Sequence, residues 1–280
     1  MGTLYLCPTP IGNLSDISER VLETLRSVDV IACEDTRTSL GLLTHFDIHK
    51  PLISYHKFNE QERSEEIIRR LKGLDQPEED VALISDAGMP AISDPGQILV
   101  RKCHDAGIRV TALPGPCAFV TALALSGLDS RRFSFEGFLP TDKKEREEVL
   151  EALAKARGTT IFYEAPHRLK ETLKLLSKSA GERPAACVRE ISKRFEEIRL
   201  GTIEELGIYF DRVEPRGEFV ILIEGVPEEE RQKEMAARFE DLSIEEHMAL
   251  YQDLPEKDAM KAVAKDRGIS KRDVYAALKK

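Results

Sequence analysis

Through the first half of the chain, short runs rich in β-forming residues alternate with segments of helical periodicity. The predicted strands are residues 3–8, 29–33, 51–55, 80–86 and 109–115. The predicted helices are residues 15–28, with Ser15 as the N-cap, and residues 38–46, 59–74, 96–107 and 117–127. Parallel strands need a crossover between them, so this alternation predicts a parallel sheet with helices on both faces.

The pattern changes at residues 127–132, "GLDSRR", where we predict a domain boundary. Further strands are predicted at 133–140, 159–165, 185–190, 195–201 and 218–225, and helices at about 143–156 and 167–179. Because helices separate only the earlier strands, the second sheet is predicted to be mixed. We therefore expect an α/β protein with an N-terminal domain at 1–127, a second α/β domain at 128–226, and a charged linker (226–234) leading into a helical C-terminal extension within 227–280.

Composition argues against several classes of protein. The five cysteines of this 280-residue chain are scattered without a C-x-x-C pair, which argues against a zinc ribbon or a disulfide framework and fits a cytoplasmic protein. The uncharged stretch from Val110 to Leu128 is broken by two prolines and is too short to cross a bilayer, so we expect no membrane span. No H-x-H, H-E-x-x-H or EF-hand pattern occurs, so we expect no metal site.

The distribution of charge limits how the chain could bind a nucleic acid. Its net charge is −9, so RNA would be repelled overall and any contact needs a local basic face. The densest run of basic residues is 261–280, where two short helices are predicted on either side of a glycine turn and a serine cap, as in a helix-turn-helix. We expect this tail to hold RNA, although the pattern also fits a solvated helical cap.

Loops rich in Pro, Gly and carboxylates follow the predicted strands of the first sheet. They are "PTPIGN" (8–13), "EDTR" (34–37), "HKFNE" (56–60), "SDAGMPAISDPG" (85–96) and "PGPCA" (114–118). Ligands of open parallel sheets bind at these carboxyl ends. No P-loop and no G-x-G-x-x-G is present, and carboxylates outnumber lysines. Such loops suit a cofactor that carries hydroxyls, an amine and a positive centre better than one bound through a phosphate.

Seven segments together resemble the tetrapyrrole-methylase superfamily, and within it the branch that methylates small-subunit ribosomal RNA. In chain order they are "PTPIGNL", "EDTR", "SDAGMPAISDPG", "LPGPCA", "EGFLP", "FYEAPHR" and "RGEFVILIEG". The resemblance implies that S-adenosyl-L-methionine binds in a crevice between two α/β domains of a homodimer. It also implies methylation of a cytidine ribose 2′-hydroxyl in small-subunit rRNA, either as naked RNA or within the 30S subunit.

Candidate site residues follow from the strand ends and from this resemblance. The residues expected to contact the cofactor are Pro10, Gly12, Asp86, Gly88, Met89, Gly115, Cys117, Ala118 and Tyr163. Those expected to contact the substrate are Asp35, Arg37, Asn59, Arg168 and Arg189. A ribose hydroxyl is a weak acid that a nearby base should help to deprotonate, and the candidate bases are Glu34, His56, Glu164 and His167.

Several of these residues also have a purely structural interpretation. Asp35 could cap a helix and pair with Arg37. Arg168 and Arg189 could form salt bridges instead of contacting phosphates. The chain also departs from the pattern of the branch at two places. Met89 stands where Thr is usual, and Lys57 and Phe58 stand where Glu and His are usual.

Two other functions are compatible with the same sequence. A tetrapyrrole methyltransferase of the cobalamin or siroheme type would share the fold, and a non-catalytic RNA-binding assembly factor would use only the basic tail. The "EDTR" and "SDAGMPAISDPG" loops and the helical tail favour the RNA branch over the tetrapyrrole one. Binding of S-adenosyl-L-methionine separates either enzyme from the assembly factor.

Overall fold

Two five-stranded sheets form the centre of the structure, a computed structural model that describes residues 1–279. The strands of the first sheet are β1 (Thr3–Leu6), β2 (Val30–Cys33), β3 (Leu52–Ser54), β4 (Val81–Leu83) and β5 (Arg109–Ala112). Those of the second are β6 (Phe133–Phe138), β7 (Thr159–Glu164), β8 (Pro184–Arg189), β9 (Glu197–Thr202) and β10 (Phe219–Ile223). The predicted α/β class with two sheets is confirmed.

The helices fall into three groups along the chain. The first is α1 (Glu19–Ser27), α2 (Thr36–His45), α3 (Glu60–Lys72), α4 (Gln97–Asp105) and α5 (Ala118–Ser126). The second is α6 (Lys143–Ala154), α7 (Leu169–Ala180) and α8 (Ile203–Arg212). The third is α9 (Glu228–Ala237), α10 (Ile244–Ala249), α11 (Glu256–Arg267) and α12 (Lys271–Leu278). Within residues 1–279 none of these helices has the length and apolar character needed to span a membrane.

The first sheet is entirely parallel, with the strand order β3-β2-β4-β1-β5. Apolar side chains such as Val21 and Leu25 of α1 cover one face, and others such as Ile67 of α3 and Leu99 of α4 cover the opposite face. Each fully buried side chain of this size contributes about 1.5–3 kcal/mol. The chain leaves β1 towards β2 but leaves β4 towards β5, so the direction of winding reverses between these two adjacent strands. A ligand crevice is expected at this switch point.

The second sheet is mixed, as predicted, with the order β6-β7-β10-β8-β9 and only β6 and β7 parallel. Helices α6, α7 and α8 cover its outer face around Phe162 and Leu173. Its other face packs against α5, where Leu123 contacts a cluster that includes Val188 and Val220. Helix α5 precedes the predicted boundary in sequence but packs on the second sheet, so it joins the two halves of the molecule.

The first predicted helix begins later than expected. Residues Leu14–Asp16 form a separate 3₁₀ turn, in which Asn13 rather than Ser15 supplies the capping oxygen. Ile17 is extended and buried, and Ser18 then caps α1 by accepting the Val21 N–H at 3.3 Å. The N-cap at Ser15 was therefore a wrong prediction, because burial of Ile17 interrupts the helix before it starts.

Two helices occur where none was predicted. Helix α8 begins at a capping box formed by Thr202 and Glu205, in the segment between the predicted strands 195–201 and 218–225. Helix α9 occupies most of the segment predicted as a charged linker. No residue of α9 is buried, and its charges pair along the helix, as Arg231 does with Glu228. It therefore lacks the apolar stripe by which a helix is recognised in a sequence.

The last helices form a small core of their own around Met260, Val263 and Val274. Gly268 ends α11 in a left-handed conformation, and Ser270 caps α12 in a capping box, so the predicted glycine turn and serine cap are confirmed. Beside this core lies His247, which is fully buried. Its Nδ1 accepts the Arg267 Nε–H at 3.0 Å, and its Nε2 lies 3.4 Å from the Asp266 carboxylate.

The pKa of His247 should make the stability of this helical unit depend on pH. Burial, and then the charge of Arg267, lower the pKa, while Asp266 opposes the shift. As the pH falls below about 6.5, the ordinary pKa of histidine, His247 therefore takes up a proton more readily in the unfolded state than in the folded state. We expect the contribution of neutral His247 to the free energy of unfolding to be complete above that pH and to be lost as the pH falls below it. Urea unfolding followed between pH 7.5 and 5.5 should show the loss.

The matched control is His247→Gln, which cannot acquire the charge. This variant is expected to be less stable at pH 7.5 but to lose less stability on acidification than the parent chain. The chain has five other histidines, so only the difference between the two proteins is informative. Equal slopes of stability against pH for both proteins would contradict the assignment.

Candidate active site

The loops that follow β1 and β4 are joined at the switch point. Thr9 and Gly88 exchange two backbone hydrogen bonds, of 2.9 and 3.0 Å. The Thr9 hydroxyl donates to the Ser85 carbonyl oxygen, and the Ser85 hydroxyl donates to the Gly88 carbonyl oxygen, both at 3.0 Å. Gly88 has a φ of +87°, which a residue with a side chain adopts only with strain. These bonds fix the start of the loop against the end of β1.

The remainder of the loop after β4 is strained. Ala91 and Ser93 have φ values of +67° and +64° although neither is a glycine. The Ala91 N–H donates to the Pro95 carbonyl oxygen at 3.3 Å, and the Gly96 N–H donates to the Glu60 carboxylate at 3.0 Å. Strained backbone of this kind persists only where its surroundings hold it, and it concentrates at functional sites.

A crevice of about 380 Å³ opens beside this loop, between the two sheets. Its walls from the first half of the chain are Ile11, Glu34, Asp86, Ala87, Gly88, Met89, Ile92, Ser93, Asp94, Cys117 and Ala118. Its walls from the second half are Phe138, Tyr163, Glu164, Ala165, Glu190, Ile191, Lys193, Glu218, Phe219 and Val220. The size and the mixture of apolar and convergent polar groups are those of a small-molecule site.

Three carboxylates face one another in the crevice. The pKa of Asp94 is raised to about 6, mainly by burial and by the neighbouring charge of Glu34. The pKa of Glu34 is also raised, by burial and by Asp86, while His56 opposes the shift. Because like charges at short range disfavour ionisation, the titrations of Asp94 and Glu34 are coupled. No group of three or more Asp, Glu, His and Cys side chains in residues 1–279 is arranged to hold a metal ion.

The opposite wall of the crevice is aromatic. The Tyr163 hydroxyl accepts the Phe119 N–H from the first turn of α5 at 3.2 Å, and burial raises the pKa of Tyr163 to about 12. The phenol is therefore neutral at physiological pH. The Phe138 ring lies edge-on to Tyr163, with 5.9 Å between the ring centroids. Cys117 is the N-cap residue of α5 and makes no side-chain cap bond, so the crevice also meets the backbone of Cys117 and Ala118 at the start of that helix.

The turn after β8 closes one end of the crevice. Glu190 and Ser192 are left-handed, and the Ser192 hydroxyl donates to the Asp16 carboxylate across the two halves of the molecule. Lys193 pairs with Glu190 at 3.0 Å and lies against Gly12, where a side chain would collide with it. The strand-end loops of the first sheet are thus held to the second sheet at this point.

A smaller pocket of about 230 Å³ lies on the other side of Asp86. Its walls are Pro10, Gly12, Asn13 and Leu14 after β1, Thr38, Ser39 and Leu42 on α2, and Ser85 and Asp86 after β4. Asp86 is exposed and lines both cavities, and its Oδ1 accepts the Asp35 N–H at 3.3 Å. The two cavities therefore meet at this carboxylate.

The structure brings many of the predicted site residues together. Of those predicted for the cofactor, the ones that line the crevice are Asp86, Gly88, Met89, Cys117, Ala118 and Tyr163. Pro10 and Gly12 line the smaller pocket instead. Gly115 lines neither cavity and packs on Pro8, whose ring a side chain at Gly115 would strike.

The two predicted bases on β7 and in the following turn differ in their surroundings. Glu164 lies against the crevice, but its carboxylate is buried and accepts the Thr172 hydroxyl at 2.6 Å and the Ala165 N–H at 2.8 Å. It also pairs with Arg168 at 3.4 Å, while Arg168 donates to the Leu139 carbonyl oxygen at 2.6 Å. These bonds hold the turn after β7. His167 is exposed and lines neither cavity.

The remaining predicted arginines are engaged in ion pairs. Arg189 binds Glu197 through two nitrogens, at 2.7 and 2.6 Å. Asp35 accepts the Arg37 N–H at 2.8 Å at the start of α2, and the Arg37 guanidinium pairs with the same carboxylate at 3.3 Å. The structural interpretation of these residues thus has a geometric basis, while their contact with a substrate stays a prediction.

His56 and Asn59 form one unit after β3. Asn59 accepts the His56 N–H at 2.8 Å, donates to the Ser54 carbonyl oxygen at 3.1 Å, and lies 3.3 Å from Nε2 of the ring. The Nδ1 of His56 is buried without a hydrogen bond in the described chain. Asn59 therefore orients the histidine, and this histidine opposes the rise in the pKa of Glu34.

The sequence-based candidate set omitted several residues of the crevice. Asp94 looked like an ordinary turn residue in Asp-Pro-Gly, and only its burial beside other carboxylates marks it. Phe138, Glu190 and Glu218 lie at strand ends or turns of the second sheet, which the rule for parallel sheets does not cover. Their positions followed from the way the second sheet packs over the first, which no local pattern encodes.

Comparison with known proteins identifies the family. Residues 3–207 match the family model of the tetrapyrrole (corrin/porphyrin) methylases. A protein of Bacillus subtilis (strain 168) named ribosomal RNA small subunit methyltransferase I is 45% identical over 279 residues, which cover 99% of this chain and 94% of that protein. A protein of the same name from Pseudomonas aeruginosa is 46% identical over 98% of this chain and 95% of its own length.

Solved structures share the fold at lower identity. A diphthine synthase superposes with a TM-score of 0.64 at 16% identity, over 80% of this chain and 90% of its own. The uroporphyrin-III-C-methyltransferase of Thermus thermophilus gives a TM-score of 0.54 at 18% identity, over 79% and 94%. The chain therefore belongs to the tetrapyrrole methylase family, in the branch of ribosomal RNA small subunit methyltransferase I, and the resemblance seen in its motifs is confirmed.

The coupling among the crevice carboxylates is directly measurable. We expect the Asp94 carboxyl to titrate near pH 6, as followed by carbon NMR of labelled aspartate. Removing one neighbouring charge with Glu34→Gln should lower that pKa, because ionised Asp94 would then face one repulsive carboxylate fewer. Asp105→Asn, on the exposed end of α4, is the control that should leave it unchanged. An Asp94 pKa near 4 in the parent chain would contradict the geometry of the crevice.

Proposed function

We propose that this chain is an S-adenosyl-L-methionine-dependent methyltransferase that methylates the ribose 2′-hydroxyl of a cytidine in small-subunit ribosomal RNA. The observation that carries the proposal is the crevice at the switch point of a methylase fold, lined by carboxylates on one side and by aromatic rings on the other. The names of the full-length relatives support rRNA as the substrate. The five free cysteines fit action in the reducing cytosol.

The residues of the crevice fit S-adenosyl-L-methionine. Asp86 and Asp94 would bind hydroxyls and an ammonium group, and the N–H groups at Cys117 and Ala118 would bind a carboxylate at the start of α5. The Tyr163 ring would face a positive centre, as aromatic rings do in cation–π contacts. When bound, the cofactor supplies an electrophilic methyl group on a sulfonium.

The protein's own contribution is then to align the acceptor oxygen and to remove its proton. We assign proton acceptance to Glu34, because it lines the crevice and its raised pKa makes it a stronger base than an ordinary glutamate. His56, held by Asn59, lies close enough to influence that charge. Glu164 is a weaker candidate because its hydrogen bonds hold the turn after β7.

The tetrapyrrole alternative has less support. Relatives of 42–46% identity across nearly the whole chain carry rRNA methyltransferase names, whereas the uroporphyrin enzyme matches at 18% and argues only for the fold. Homodimerisation stays a proposal that rests on the family resemblance. Exposed apolar side chains on and beside α5, namely Val120, Leu125, Phe133 and Leu200, offer surface for such a contact.

The proposal predicts a specific product. Small-subunit rRNA from a strain that lacks this protein should lack one 2′-O-methylcytidine, which mass mapping detects, and expression of the chain should restore it.

Glu34→Gln should lower kcat by about 10²-fold through loss of the base, while calorimetry should show retained affinity for the cofactor. Lys178→Gln, on the outer surface of α7, is the control. A restored methyl group on a base, or none, would overturn the proposed reaction.

The basic residues of the tail should contribute to RNA binding. Lys261, Lys265, Arg272 and Lys279 are exposed, whereas Arg267 is bonded internally to His247 and to backbone carbonyls. Replacing these four exposed residues with Gln should weaken RNA binding and flatten its dependence on salt, since fewer counterions are released. Methyl transfer should then fall mainly through a higher KM.

The matched control replaces four exposed lysines on the outer surface of α6 and α7, namely Lys143, Lys144, Lys174 and Lys178. Both variants lose the same charge, so a general effect of net charge would appear in both. If the two sets of substitutions change RNA affinity and salt dependence equally, the tail is a structural cap and the RNA contact lies elsewhere.

A further inference from the structure

The smaller pocket beside Asp86 has the features of a built binding site. Its three walls come from the loop after β1, from α2 and from the loop after β4, so it is formed by the same strand ends as the crevice. The two cavities share Asp86. The part of a bound group that lies next to Asp86 would therefore also lie at the mouth of the crevice.

A buried polar group in the pocket lacks a partner. The Ser39 hydroxyl is only 3% exposed and makes no hydrogen bond in the described chain. The polar group next to it is the thiol of Cys33, a weak partner. Buried hydroxyls are almost always hydrogen-bonded, because leaving one unpaired is unfavourable. A ligand that enters the pocket would supply the missing partner.

The other walls suit a flat, neutral, partly polar ring. Pro10, Leu14 and Leu42 supply apolar surface, and Leu14 is exposed although it is a large apolar residue. The side-chain Oδ1 of Asn13 already accepts the Ser15 N–H at 3.0 Å, so the side-chain NH₂ group is available to donate. No lysine or arginine among residues 1–279 lines the pocket, which makes it a poor place for a phosphate.

The size of the pocket selects among ligands. At about 230 Å³ it is smaller than typical sites for drug-sized molecules, which are roughly 300–1,000 Å³. A tetrapyrrole macrocycle is too large for it, whereas a single pyrimidine ring is not. An RNA base can enter such a pocket only after it leaves the stack, as bases do in enzymes that act on single nucleotides.

We propose that this pocket receives the base of the target nucleotide, extruded from the RNA, with its ribose at Asp86 beside the mouth of the crevice. This assignment rests on the proposed function and names the part of the site that recognises the nucleoside. The Asn13 amide donates to the acceptor edge of the pyrimidine, and the Ser39 hydroxyl bonds to a second polar atom of the ring. The ribose then lies between the pocket and the carboxylates of the crevice.

The first test fills the pocket. Thr38 is exposed and lines the pocket, so Thr38→Tyr adds a ring there without disturbing a core. It should lower kcat/KM for RNA at least tenfold and leave cofactor affinity and Tm unchanged. Leu40→Tyr, on the same helix but in neither cavity, is the control and should behave like the parent chain. Parent-like kinetics in Thr38→Tyr would overturn the assignment.

The second test removes the unpaired hydroxyl. Ser39→Ala should change Tm little, because the hydroxyl has at most the weak Cys33 thiol as a partner in the described chain, but it should lower kcat/KM by about three- to tenfold, the loss typical of one neutral hydrogen bond. A short target RNA with a fluorescent cytidine analogue at the methylated position should brighten on binding to the parent chain and much less with Thr38→Tyr. Equal brightening in both would place the base elsewhere.

These outcomes are distinct from failure of the proposed function. If the parent chain binds no S-adenosyl-L-methionine, or if mapping shows no ribose methylation, the proposed function fails before the pocket is tested. If the parent chain methylates its cytidine and the pocket variants do so equally well, only the pocket assignment fails.

Discussion

The paired backbone hydrogen bonds between Thr9 and Gly88 hold the active site together. They join the loops of the two adjacent strands between which the winding of the first sheet reverses. With the Thr9 and Ser85 hydroxyls they satisfy backbone groups that would otherwise be buried without partners. Asp86 follows directly, so its carboxylate is fixed at the rim of both cavities. A sheet wound in one direction only would have no such meeting of loops.

Acidic side chains line the crevice, whereas the basic residues available to RNA lie in other segments of the chain. A crevice with Glu34, Asp86 and Asp94 on one wall repels RNA phosphates, so it favours a neutral acceptor and a cofactor with a positive centre. The overall charge of −9 extends this repulsion over the surface, and attraction for RNA has to come from separate basic segments. Burial and then the charges of Glu34 and Asp86 raise the pKa of Asp94 to about 6, close to neutral pH. Repulsion of phosphate and the raised pKa of Asp94 thus share one cause, the negative charges of the neighbouring carboxylates.

Much of this architecture could be predicted from the sequence, because parallel α/β sheets leave strong local patterns. The buried strands, the amphipathic helices and the Asp86 loop at a strand end were all visible. The predictions failed where no local pattern exists: α9 has no apolar stripe, and Ser18 replaces Ser15 as cap because Ile17 is buried. Residues of the second sheet that line the crevice were mostly missed, since their place depends on how α5 and the turn after β8 bring the sheets together.

Helix α5 makes the crevice a property of both sheets. It follows β5 of the first sheet, yet its buried side chains pack on the second, and the Phe119 N–H in its first turn donates to Tyr163 on β7. Any shift of the second sheet would therefore carry the start of α5, and with it Cys117 and Ala118, away from Asp86. Helix α5 is packed on the second sheet and connected to β5 of the first. This arrangement fixes the spacing of the aromatic wall, the N–H groups of Cys117 and Ala118, and the carboxylates.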